Sequence, residues 1–131
     1  MTDDRPMTVE FLQPEEAAQV NAALLSSQEK FLVRVTIYGL RSLRQISEET
    51  GLKIEAITPD LVASWIQRDP SIHQQVEVDA NFATFFSNLV VSSIQPLRQI
   101  SEENNTAISE LTVEQVIAWY ERQAKRRVEQ K

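Results

Sequence analysis

The chain has 131 residues, no cysteine, only two glycines and a formal net charge of −6. This length supports one domain with a real core, and without cysteine its stability rests on packing alone. So few glycines argue against a turn-rich β protein and a glycine-rich phosphate cradle, and the net charge repels polyanions on average.

The opening Met1-Thr2-Asp3-Asp4 is acidic and no apolar run follows it, so no signal peptide is expected. The expected location is cytoplasmic, or stromal for a mature organellar protein. Residues 1–13 read as a loose arm, from which Phe11 and Leu12 could staple onto the first helix. Pro14-Glu15-Glu16 is a helix start, with proline at the first position and carboxylates against the positive end of the dipole. Ala17, Val20, Leu24, Phe31, Val35 and Tyr38 then recur at helical spacing. Between Phe31 and Ile37 the apolar positions spread around the circumference, which predicts a central segment. Gly39 is expected to bend or end this helix.

A duplication comes next. Leu43-Arg44-Gln45-Ile46-Ser47-Glu48-Glu49 recurs letter for letter as Leu97-Arg98-Gln99-Ile100-Ser101-Glu102-Glu103, 54 residues later. The register then holds without a gap: Ile54, Thr58, Val62, Trp65 and Arg68 meet Ile108, Thr112, Val116, Trp119 and Arg122. That makes 12 identities in 26 positions, and upstream Phe31 still meets Phe85. Each copy reads as an amphipathic helix with Leu43, Ile46, Ser47 and Thr50, or Leu97, Ile100, Ser101 and Asn104, turned inward. Arg44 and Arg98 are expected to pair with Glu48 and Glu102 on the outer surface. Gly51 and Asn105 align just past the helices, and both tolerate the left-handed conformation of a C-terminal cap. Small Ser47 and Ser101 are where two backbones are expected to approach closely.

After each cap comes a connector with apolar plugs: Leu52, Ile54 and Ile57, then Ile108 and Leu111. Thr58-Pro59-Asp60 and Thr112-Val113-Glu114-Gln115 start short helices, the second as a capping box. The first buries Leu61, Val62, Trp65 and Ile66 and stops at Asp69-Pro70. Ser71-Ile72-His73-Gln74 is a further capping box, opening a second long helix in which Pro96 begins a final segment after a kink. From Ala80 to Leu97 there are 18 residues without a charge, long enough to span a bilayer. Asn81, Thr84, Asn88 and Gln95 make it too polar for hydrocarbon, so it reads as a buried helix of a protein with no membrane span.

The expected fold is therefore all-α: a single domain of two tandem helical repeats, residues 14–69 and 70–131, packed as a pseudo-twofold bundle. Each half alone is marginal for an independent core.

Chemistry is harder to find. Ile46 to Leu52 resembles the first helix and turn of a helix-turn-helix DNA reader. Pro59 interrupts the window for a recognition helix, and Glu48 and Glu49 stand where phosphate contacts want cations. His73 is the only histidine and reads as a solvated residue, with no cysteine or second histidine to complete a metal site. Glu48-Glu49 and Glu102-Glu103 point to the solvent face, and Trp65 and Trp119 read as core. No catalytic, metal or cofactor residue is assigned, and no cofactor is expected.

Two features point outward. The C-terminal run Arg122, Lys125, Arg126, Arg127 and Lys131 is basic on an acidic protein. It either complements its own helix dipole or forms a docking tail. Asn81, Thr84, Asn88, Ser92 and Gln95 form an uncharged polar stripe, the charge depletion found at the buried centre of an interface; it either meets another chain or is covered within this one by the N-terminal arm or a short helix. These features predict a non-catalytic protein-interaction module: an adaptor, assembly factor or small regulator. Its partner is another protein or a second copy of the chain. The alternative is a nucleic-acid-binding regulator using the basic C-terminal helix, with a small helical enzyme third.

Overall fold

A computed structural model describes residues 12, 14–69 and 79–129. Among them all regular structure is helical, without a strand. Helix α1 (Pro14–Ala22) leads into α2 (Ser27–Thr50), and a 3-10 turn at Ile54–Ala56 precedes α3 (Pro59–Arg68). Helices α4 (Ala80–Ser92) and α5 (Ile94–Glu103) follow nearly end to end, then a 3-10 turn at Ile108–Glu110 and α6 (Val113–Glu129). No described helix is long and apolar enough to cross a membrane. The Ser71–Gln74 capping box, His73 and the start of the second long helix lie outside the described residues.

The apolar spacing from Ala17 to Tyr38 predicts one continuous helix, but the structure splits it at residues 23–26. The cause is a capping box: Glu29 N–H donates to Ser26 Oγ at 3.2 Å, and Ser26 N–H to Glu29 Oε1 at 2.8 Å. Leu24 leaves the predicted stripe and is 87% exposed. The new helix, α2, packs against every other described helix. Its residues from Val35 to Leu40 are all buried, so the centre lies about a turn later than the apolar spread implies. Phe31 and Leu32, expected inside, are 44% and 48% exposed.

Gly39 does not end α2, which runs on to Thr50. It lets α4 approach: a Cβ there would lie 2.5 Å from Ser93 Oγ and 3.6 Å from Val90 Cγ1. Ser93 sits at the break between α4 and α5, its hydroxyl returned to Val90 O at 2.5 Å. The break falls three residues ahead of Pro96, which occupies the third position of α5 rather than the first. Gly39 and Ser93 thus mark a close approach, at positions other than the repeated serines. Ser47 Oγ instead donates to Leu52 O at 2.6 Å, and Ser101 Oγ to Thr106 O, each tying a helix end to its connector.

Local detail recurs between the copies. Gly51 and Asn105 both adopt positive φ, 76° and 49°. Ile54, Ile57, Ile108 and Leu111 are buried plugs, whereas Leu52 is partly exposed. Thr58 and Thr112 cap the helices that follow by accepting from Leu61 N–H and Gln115 N–H. Arg68 pairs with Glu49 and Arg122 with Glu103, each at 3.5 Å.

The copies also diverge. Arg44 does not pair with Glu48; it crosses to the second connector, donating to Ser109 O at 2.6 Å and to Leu111 O. Its counterpart Arg98 is exposed. Trp65 and Trp119 are equally buried but meet different rings, Tyr38 and Tyr120. Tyr38 also packs on Phe86, and its hydroxyl donates to buried Asp69 Oδ2 at 2.5 Å. Burial, then that carboxylate, pushes the Tyr38 phenol far up.

Candidate partner-docking surfaces

Helix α4 divides sharply into two faces. Asp79 caps it by accepting from Phe82 N–H at 2.8 Å, and Ala83, Phe86, Ser87 and Val90 are buried. The opposite face carries Asn81, Thr84, Asn88 and Ser92, with Gln95 continuing it on α5, and all five are exposed. Two of their polar groups turn back to the helix: Asn88 Nδ2 donates to Thr84 O and Ser92 Oγ to Leu89 O. Nothing on this stripe is charged.

Phe85 belongs to the same face and is 59% exposed. A list of polar positions alone passes over it. Its spacing shows it, four residues after Asn81 and three before Asn88. An exposed aromatic within a neutral polar stripe has the composition of a protein contact rather than a wet surface.

The basic C-terminal run is only partly available. Arg122 is paired with Glu103, and Arg127 reaches Glu29 at the start of α2. Lys125 and Arg126 are exposed, and Lys131 lies outside the described residues. The Ser26 N–H and hydroxyl, then Arg127, hold the Glu29 carboxyl below its ordinary value, against its partial burial. So α6 uses part of its positive charge to fasten itself to α2, as Tyr120 does through a 2.8 Å hydrogen bond with Thr36.

A second feature appears where α6 passes the corner between α1 and α2. A groove of about 990 Å³ runs there, lined among others by Leu24, Leu25, Ala118, Ala124 and Val128. The corner is firmly held. Lys30 Nζ donates to Asn21 O, Arg34 to Asn21 Oδ1, and Leu24 N–H to Glu121 Oε2. Sequence reasoning missed this groove because it joins segments nearly a hundred residues apart. The Ser26-x-x-Glu29 box was the local signal for the corner.

Among the described residues no group of three or more His, Cys, Asp or Glu could hold a metal. A family model described as "NDH complex assembly factor CRR9" matches residues 12–127. No curated protein and no solved structure matches.

Proposed function

This chain belongs to the family of NDH complex assembly factor CRR9, and from that premise we propose that it assists assembly of an NDH complex through protein contact, without catalysing a reaction. The family match over nearly the whole described chain carries this reading. The neutral face of α4, with Phe85 at its centre, supplies a surface suited to it. The partner is a subunit or assembly intermediate of the complex, held at Asn81, Thr84, Phe85, Asn88, Ser92 and Gln95.

The architecture behind this surface is one domain of two related halves about a pseudo-twofold axis. Gly39 and Ser93 support this reading, because they are equivalent positions under the 54-residue offset and lie against each other. Residues near a twofold axis meet their own equivalents. The axis crosses α2 against the α4–α5 junction, which leaves the outer face of α4 for a partner.

A photo-crosslinking residue at position 88, introduced into the chain in its native host, tests the reading. It should yield adducts with subunits of the NDH complex. Adducts only with a second copy of this chain would replace the reading with self-association, and an absence of adducts would remove the surface.

A further inference from the structure

The groove between the α1–α2 corner and α6 displays aliphatic side chains in an unusual way. Leu24 is 87% exposed and Val128 72%, and both line it. An exposed leucine alone is unremarkable in a surface that is largely apolar anyway. This one stands on a backbone fixed by a carboxylate from α6, between a stapled Asn21 and the Ser26 capping box. A held corner keeps its leucine out where a loose one would fold it back onto apolar neighbours.

The charges around the groove are sorted by sign. Its acidic groups are occupied within the chain: Glu29 accepts from Ser26 N–H and pairs with Arg127, and Glu121 accepts from Leu24 N–H. The outward charges of its lining are cations, with Lys125 exposed and the paired Arg122 and Arg127 side chains still 48% and 63% exposed. On a chain with net charge −6, this is a local reversal of sign.

We propose that this groove docks an amphipathic helix of a partner protein, its apolar face between Leu24 and Val128 and its acidic flank against Lys125 and the exposed sides of Arg122 and Arg127. The inference rests on the assembly reading and adds a second surface with a stated partner chemistry. A helix meets such a groove with apolar anchors at i, i+3 or i+4 and i+7, and acidic residues beside them complete the rim. A lipid surface fits less well. Polybasic lipid sites gather about 4–8 Lys or Arg, whereas the groove is lined by Arg122, Lys125 and Arg127 alone, and Arg127 is already paired across it.

The test uses the full chain and a labelled amphipathic peptide with leucine on one face and glutamate on the other. A lysine-for-glutamate version and mixed phosphatidylglycerol–phosphatidylcholine vesicles complete the set. The glutamate peptide should bind, more weakly as salt rises, and the lysine peptide should not. Leu24→Asp should reduce binding on the order of tenfold while leaving thermal unfolding unchanged, since its side chain is exposed. Lys125→Glu should weaken binding of the glutamate peptide and favour the lysine peptide. Equal binding of both peptides, binding that survives both variants, or binding of vesicles in place of peptide would overturn the proposal. In the native host, normal NDH complex accumulation with Leu24→Asp would overturn the groove and leave the assembly reading standing. Normal accumulation without the chain would instead remove the assembly reading.

Discussion

Gly39 lies against Ser93, the residue 54 positions later in the register of the repeated motif. The absence of a side chain on the first makes room for the hydroxyl of the second, 2.5 Å from where a Cβ would stand. Inside a helix, glycine costs up to about 1 kcal/mol relative to alanine, so Gly39→Ala should stabilise if propensity alone decided. The clash should win. Overpacking costs about 1–3 kcal/mol, and Gly39→Ala should therefore lower the melting temperature. Ser93→Ala in the same chain should recover most of the loss. A Gly39→Ala, Ser93→Ala double variant no more stable than Gly39→Ala alone would show that the two residues do not meet there.

Arg44 and Arg98 are identical in sequence context and unlike in structure. Arg44 links the first copy to the connector of the second through two carbonyl oxygens, while Arg98 lies on the surface. Hydrogen bonds from a charged donor contribute about 1.5–3 kcal/mol. Arg44→Leu should destabilise by about 2 kcal/mol in chemical denaturation, and Arg98→Leu by less than about 0.5 kcal/mol. Equal effects at the two sites would remove the cross-link between the halves.

The fold class was legible because the repeated motif carries clean helical periodicity and its stops, Gly51 and Asn105, are of the right type. The corner at residues 23–26 was hidden, since Leu24 keeps the apolar spacing while the capping box at Ser26 and Glu29 overrides it. Ser47 and Ser101 looked like close-packing positions because they are small. Their hydroxyls find connector carbonyls instead, a contact that periodicity does not encode. The α4 stripe could be read from its missing charges, but a list of polar residues omitted Phe85. The groove at Leu24 and Val128 depends on contacts between distant parts of the chain.

Acid should loosen the joint between α2 and α6. The Glu29 carboxyl is held below its ordinary value by Ser26 and Arg127, so its contribution is present above the unfolded pKa near 4.5 and fades as pH falls through the lower folded value. Melting temperatures measured from neutral to strongly acidic pH should fall more steeply in wild type than in Glu29→Gln. The two curves should converge at the acidic end. Parallel curves would show that this carboxylate is not coupled to folding.

Ser92→Arg should leave the monomer as it is. Ser92 is exposed, so the new side chain extends into solvent, and surface changes of this kind fall within about 0.5 kcal/mol. Helicity and unfolding cooperativity should match wild type, while recovery of partner subunits should fall. A loss of several kcal/mol would mean that the stripe is covered within its own chain.

The most direct test is the amount of mature NDH complex, resolved by native electrophoresis from the host with and without this chain. Without it, mature complex should decline and partly assembled forms accumulate. The wild-type chain should restore assembly, whereas Ser92→Arg at equal abundance should not. Unchanged mature complex in cells lacking the chain would contradict a role in assembly.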